Sequence, residues 1–388
     1  MNSFFNNTKD AFSLKSNFDL LRAKLLFAVI QNKYLVSLGT WFINFSLKFY
    51  LPINSIIKIS IYKHFCGGLN EIQCYPTIQS MFKKNVYTVL DFSTEGYKNE
   101  EDFDMCCEKK ISIIEFIKDK DEIPFAVFKP SSVGKSSIFE KVSKGTILNS
   151  QDKEAWLKIR KRFHLICKKA KESDVKILID AEEFLIQKAI DQLALEMMKE
   201  YNKNEVFVFN TVQMYRSDRL GYLKKITEEN PSVLFGFKLV RGAYMEKERQ
   251  LSKKHGYPSP ICKDKLSTDK NFDSAIEYVF QNLKQINFVC ASHNEASTLK
   301  VIDLMKKNNL KNGNKKVWFG QLYGMSDNIT FNLAMKSYNT FKILPFGPVR
   351  NLIPYLLRRA EENTSVRGQS GRELSLIQSE IRRRKLQS

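Results

Sequence analysis

Two adjacent arginines, Arg358 and Arg359, lie in the run Tyr355-Leu-Leu-Arg-Arg-Ala-Glu-Glu-Asn363, near the C-terminal end of a 388-residue chain. Paired guanidiniums suit one task well, the directional, bidentate gripping of a carboxylate. At helical spacing Tyr355, Arg358, Arg359 and Glu362 follow one another by steps of three and four and so share one stripe. Taken alone, such a run is a solvated amphipathic helix end. It gains weight from other polar residues that finish apolar runs elsewhere: Asp91, Lys129, Asp180, Gln213, Lys238, Arg241, His293, Asn294 and Gln321. Two weaker signals are set aside. Ser132-Val-Gly-Lys-Ser136 resembles the end of a phosphate loop, but the GxxxxGK[ST] pattern needs glycine where Lys129 stands. The four histidines are dispersed, and Asp180-Ala-Glu-Glu183 lies in a region rich in Lys and Arg, so no metal is expected.

The elements that must position these residues alternate in type. Eight runs rich in β-branched and aromatic residues recur at 86–92, 125–129, 175–181, 206–213, 235–242, 287–294, 316–324 and 342–347, each followed by a polar turn and a longer helical pattern. Strands apolar on both faces and separated by helices predict a parallel sheet covered on both sides. Eight such units predict an α/β fold of the (β/α)8 TIM-barrel type, in which the C-terminal strand ends converge on one mouth. A doubly wound sheet would need an early GxGxxG loop, and the chain has none. The expected organisation is an α-helical arm over 1–84, the barrel over 85–363 and a short helical tail over 364–388 that ends in the basic patch Arg382-Arg383-Arg384-Lys385.

Composition narrows the partners. Sixty-two Lys and Arg against 42 Asp and Glu give a net charge of +20, which favours anionic neighbours. Seven cysteines without a CxxC pair argue for a reducing compartment and against a disulfide framework or structural zinc. Asp10 and Asp19 spoil both a secretory signal and an acid-poor transit peptide. The charge-free stretch Leu35–Leu47 is too short for a bilayer span and reads as a buried or interfacial helix.

Taken in register, seven segments resemble the flavin-dependent proline dehydrogenases in their single-function form. They are AVFKPSSVG, LIDAEE, NTVQMY, KLVRGAYMEKER, SHN, FGQLYGM and PYLLRRAEENTSVRGQ. The resemblance implies oxidation of L-proline to Δ1-pyrroline-5-carboxylate, the first step of proline catabolism. Hydride passes to N5 of a non-covalent FAD, and electrons then go to a membrane quinone. It further implies that Arg358, Arg359 and Lys129 hold the proline carboxylate, that Tyr355 packs over the ring with Leu322 and Ala243 beside it, and that Asp180 belongs to the same pocket. Lys238 stands where the family keeps a cation near N5. Gln213, Val240, Gly242, Ala243, Tyr244, Lys265, Thr268, His293, Asn294 and Glu362 match FAD-lining positions, with Gly242 expected to let the backbone approach the cofactor.

Two positions depart from the family. Ile343 replaces a tyrosine that in the family pairs with the pocket aspartate, so either Asp180 turns to water or to Lys129, or the pocket is looser for proline. Met245 replaces the tryptophan of bifunctional bacterial members, an apolar exchange. Rival readings are a Schiff-base barrel lyase using Lys129 or Lys238, and a basic module binding membrane or nucleic acid. On the leading reading the partners are proline, a quinone and an anionic membrane surface, with no role for nucleic acid. The expected place is the cytoplasmic face of the inner membrane in a bacterium, or the mitochondrial matrix in a eukaryote.

Overall fold

The computed structural model describes residues 3–49, 53–93, 97–365 and 369–387, with the side chains at 3, 44, 47, 361–365, 369 and 370 outside the description. Eight strands close into a barrel in chain order: β1 (Tyr87–Phe92), β2 (Phe125–Phe128), β3 (Lys176–Ile179), β4 (Val208–Gln213), β5 (Phe235–Val240), β6 (Ile286–Ala291), β7 (Val317–Leu322) and β8 (Thr340–Phe346). The expected (β/α)8 architecture is therefore present, and every apolar run supplies one strand. By its internal packing the chain divides into two compact units, Gly96–Gly320 and the combination of Met1–Glu95 with Gln321–Ser388.

In the unit Gly96–Gly320, β2 to β6 and the start of β7 pair in parallel, with registers such as Phe125↔Lys176, Thr211↔Lys238 and Lys238↔Val289. Every residue of β2 and β4 is buried, as strands covered on both faces require. Rings from β2, β4 and β7 meet near the N-terminal ends of these strands. Phe125 of β2 stands edge-on to Phe209 of β4 at 5.6 Å and to Trp318 of β7 at 5.1 Å. This aromatic plug occupies the first or second residue of each strand, so the polar residues are left to the C-terminal halves. Gly134, in the phosphate-loop lookalike, has a packing role, since a Cβ there would lie 2.3 Å from Ile159 Cγ1.

In the other unit β1 pairs with β8 from Tyr87↔Phe341 to Phe92↔Phe346. The described residues of the arm form helices joined by short turns and irregular segments, with no strand among them. Its helix Asn17–Ile30 starts at a reciprocal cap between Ser16 and Asp19, and its inner residues Leu20, Ala23 and Phe27 pack with Leu376 and Ile377 of the tail helix Gln369–Lys385. The tail's basic patch is partly spent on this packing. Arg383 and Arg384 both pair with the buried Glu380, and Arg384 also donates to the carbonyls of Phe12 and Lys15. β8 begins two residues before the expected point, so Lys342 lies inside it, wholly buried and paired with Asp327 at 2.8 Å. The helix Lys33–Lys48 holds the charge-free stretch and leaves Leu35, Leu38, Trp41, Phe42 and Phe45 exposed, which rules out the buried alternative.

Candidate active site

The chemistry-bearing residues of Gly96–Gly320 gather where strands end. Lys129 directly follows β2, Asp180 directly follows β3, Gln213 closes β4, and Lys238 is the fourth residue of β5. Lys238 Nζ donates to Asp180 Oδ1 in an ion pair whose lysine side chain is 5% exposed and whose aspartate is 22% exposed. Asp180 thus has Lys238 as an ion-pair partner, a pairing that the expectation drawn from Ile343 did not include. Ile343 itself lies half-buried in β8, opposite Val89 of β1.

Glu182 was not singled out by sequence, yet it organises this end of the barrel. Its carboxylate accepts from Ser131 N and Ser131 Oγ, both at 2.6 Å, and burial pushes its pKa up despite these donors. Its backbone carbonyl accepts from Gln213 Nε2 at 3.0 Å. That bond fixes the Gln213 amide, whose Oε1 is buried without a hydrogen-bond partner, as is the neighbouring Thr211 Oγ1. Unmet buried polar atoms such as this pair, with Asn210 Oδ1 a third on the same strand, are costly unless a further group meets them. The pyrimidine edge of a flavin, with an N–H donor between carbonyls, fits such a pair. In the sequence Glu182 stood out only as part of Asp180-Ala-Glu-Glu183, weighed as a metal site and set aside.

After β5 the chain turns through Arg241 and Gly242. Gly242 has φ +128°, and a Cβ there would lie 2.5 Å from the Tyr215 ring, so the glycine is required by strain and by the tyrosine. The expected reason, close approach to a cofactor, is not needed to explain it. Val240 O accepts from Met214 N at 2.8 Å, while Ala243 is exposed and Tyr244 half-buried ahead of the helix Met245–His255. Arg241 is a hub that sequence left without a role. It donates to Asp269 at 2.8 Å, to Ser292 Oγ at 2.9 Å and to Ser297 Oγ at 2.9 Å, with its guanidinium over Phe272.

Those bonds join two helix starts that carry further expected residues. Lys265, exposed, begins the helix Lys265–Gln281 and pairs with Asp269, while the buried Thr268 donates to Asp264 O. His293 is half-buried, and Asn294 caps the helix Glu295–Lys307 by accepting from Ser297 N at 3.1 Å. Helix N-termini present N–H groups and a positive dipole end, suited to a diphosphate. Orphaned Gln213 and Thr211 atoms together with these helix starts fit FAD.

In the other unit, the helix Val349–Ser365 carries the arginine pair. Tyr355 is 5% exposed and Arg359 8% exposed, with the Arg359 guanidinium 5.2 Å from the Tyr355 ring centroid; Arg358 is half-buried. Tyr355 belongs to an apolar cluster with Leu352, Leu356 and Tyr62, and Leu322 packs against that cluster. Tyr355 is thus brought against Arg359, and Leu322 packs on the cluster that holds Tyr355. The side chain of Glu362 lies outside the described residues. A cavity of about 250 Å³ in this unit, lined by Lys15, Tyr323, Asp327 and Lys342 among others, includes none of the expected site residues.

Near that cavity lies a buried ionisable cluster. Burial and Asp327 raise Glu373 to about 7 although its carboxylate accepts from Ser326 N. Burial and Lys15 lower His64 to about 3 while its Nε2 bonds Gly324 O at 2.8 Å. Among the described residues no three His, Cys, Asp or Glu side chains are grouped to hold a metal ion, and all seven cysteines are free and buried.

A barrel with cations and a carboxylate at its strand ends defines a class of enzyme fold, and the comparisons with known proteins narrow it. The family model described as proline dehydrogenase matches residues 74–372. The carbapenem antibiotics biosynthesis protein CarD of Pectobacterium carotovorum is 34% identical over 323 residues, covering 82% of this chain and 83% of its own. The mitochondrial proline dehydrogenase 1 of Drosophila melanogaster is 37% identical over 246 residues, 60% of this chain and 36% of that one. Among solved structures, proline utilization A from Bdellovibrio bacteriovorus, inactivated by N-propargylglycine, matches with a TM-score of 0.69 at 20% identity, over 95% of this chain and 39% of that one, a likeness of fold. The chain belongs to the proline dehydrogenase family. It spans little more than a third of the Drosophila and Bdellovibrio proteins.

Proposed function

We propose that this chain oxidises L-proline to Δ1-pyrroline-5-carboxylate with FAD and passes the electrons to a membrane quinone, as the first step of proline breakdown. The reading is carried by the buried Lys238–Asp180 pair in the barrel, in a chain whose family match also takes in the half-buried and buried Arg358 and Arg359. Bound FAD supplies the acceptor for the hydride that leaves the proline Cδ.

The roles of the chain's own residues follow from their chemistry. Arg358 and Arg359 take the substrate carboxylate through parallel N–H donors, and Lys129 adds a point charge. Fixing the one strong handle far from the reacting carbon orients the ring. Tyr355 and Leu322, set in an apolar cluster, and Ala243 exclude water from that ring. Asp180 holds and aims the Lys238 side chain, and Lys238 stabilises negative charge that develops close by. Proline must enter as the free amine, because its nitrogen lone pair forms the new C=N bond as the hydride departs. The N–H proton is lost to solvent.

Gln213, Val240, Gly242, Ala243, Tyr244, Lys265, Thr268, His293, Asn294 and Glu362 are assigned to FAD. The absence of any described helix long and apolar enough to cross a membrane is compatible with peripheral attachment to an anionic membrane surface. The Drosophila relative is by name mitochondrial, and a matrix-side location belongs to the same proposal if this chain is eukaryotic.

The test is kinetic. Arg358→Met or Arg359→Met keeps the aliphatic stem but removes a carboxylate partner, a loss of roughly 2–4 kcal/mol, or about 30- to 1000-fold in kcat/KM. Flavin content is expected to stay level. Less than a threefold effect from both substitutions in flavin-replete protein would remove the substrate assignment.

A further inference from the structure

The arm carries apolar surface on a side that no described residue of its own unit covers. In the helix Asn17–Ile30, Leu20, Ala23, Phe27 and Ile30 are buried, whereas Phe18, Leu21, Leu25 and Val29 are 47–70% exposed. The second set follows steps of three and four, so it forms a continuous stripe on the opposite side of the helix. The helix Lys33–Lys48 repeats the pattern. Tyr34, Leu38, Trp41 and Phe45 form one exposed stripe flanked by Leu35 and Phe42, while Val36 and Ile43 on the far side are half-buried. The outer aromatics already touch one another, with ring centroids 5.5 Å apart for Trp41–Phe45 and 4.5 Å for Phe45–Phe49.

Charge decides what covers this face. From Leu20 to Asn70 the sequence contains no Asp or Glu, yet Lys24, Lys33, Lys48, Lys58 and Lys63 are all exposed. Among the described residues of that span, Arg22 alone of the lysines and arginines pairs with an acid, Asp19. A second copy of the chain would bring like charges together, whereas a bilayer with anionic headgroups complements them. Sixteen residues of helix reach about 24 Å, short of the roughly 30 Å hydrocarbon core, so the helix Lys33–Lys48 lies along the surface. An apolar stripe bearing Trp, Tyr and Phe beside lysines is the composition of an interfacial helix.

We infer that the outer face of the helices Asn17–Ile30 and Lys33–Lys48 is a monotopic insertion surface for an anionic bilayer, with Trp41, Phe42 and Phe45 as its central wedge. The inference deepens the peripheral attachment proposed above and rests on it. It adds that apolar insertion at a defined face, and not the general +20 charge, holds the protein on the membrane.

Full-length protein mixed with phosphatidylcholine–phosphatidylglycerol vesicles whose acyl chains carry bromine tests this. Trp41 is 62% exposed, whereas Trp318 is buried and Trp156 half-buried, so quenching of tryptophan emission reports on this face. The expected result is strong quenching in wild type that is lost in Trp41→Phe. A Trp41→Ser/Phe45→Ser variant should show vesicle partitioning weaker by roughly tenfold or more, with dye-linked activity in solution unchanged. Binding to anionic vesicles without quenching, or equal binding by the double variant, would overturn the insertion face and leave peripheral attachment by charge intact. No binding at low salt would overturn both. A dimer in sedimentation velocity that the double variant abolishes would show that a second copy covers the face, and would also overturn the proposal.

Discussion

His64 and Glu373 bias stability in opposite directions with pH, and separating them tests the buried cluster directly. Burial and Asp327 raise Glu373 from an ordinary 4.5 to about 7, so between those values the folded protein holds a proton that the unfolded chain has released. Its contribution is complete below pH 4.5 and is lost as pH rises through 7. Burial and Lys15 lower His64 from 6.5 to about 3, so between those values the unfolded chain binds a proton that the folded one rejects. Its contribution is complete above pH 6.5 and is lost as pH falls through 3. Each slope is about 1.4 kcal/mol per pH unit, with opposite sign, where the windows overlap. From pH 5 to 6.5 the two cancel in the wild type.

Glu373→Gln keeps an acceptor for Ser326 N and removes one slope. The stability of that variant should climb by about 2 kcal/mol across this range. His64→Gln removes the other slope, and its stability should fall by about 2 kcal/mol across the same range. The double variant should again be flat. Urea unfolding followed by circular dichroism at a series of pH values reads all four proteins. Single variants whose pH profiles run parallel to the wild type would refute the reasoning, because neither group would then carry the displaced titration.

Asp180→Asn strands Lys238, whose side chain is 5% exposed, whereas Lys238→Met leaves an aspartate that is 22% exposed and can meet water. The first change should therefore lower stability by about 2–3 kcal/mol and the second by about 1 kcal/mol or less, an order that thermal melts at neutral pH can reverse or sustain. Gly242→Ala must hold φ near +128° and move the Tyr215 ring, so a loss of at least about 2 kcal/mol is expected in the same melts. A melt indistinguishable from wild type would mean that the turn relaxes freely.

The barrel was legible because its signal is local. Strands covered on both faces must be apolar at successive positions, and the runs at 206–213 and 235–242 could hardly be read otherwise. What depends on neighbours distant in sequence was not legible. Asp180 and Lys238 are 58 positions apart, and only strand register brings them together. Lys342 read as the edge of a strand because nothing in the sequence reveals Asp327 as its buried partner. The tail arginines read as a free basic patch for the same reason, their acid Glu380 being satisfied only after the tail folds onto the arm. In the arm the apolar residues were plain, but which side stays bare depends on where Leu376 and Ile377 pack. At the site, the strand-end residues stood out by type, whereas Glu182 and Arg241 matter through the backbone and side-chain groups they tie down.

The central claim is that this chain binds a flavin and that L-proline reduces it. The visible spectrum of the purified protein, recorded without oxygen before and after addition of L-proline, tests both parts at once. Flavin bands that bleach on adding L-proline, and persist when D-proline or buffer is added instead, are the predicted result. A colourless protein that cannot be reconstituted with FAD, or flavin bands that L-proline leaves unchanged, would contradict the account.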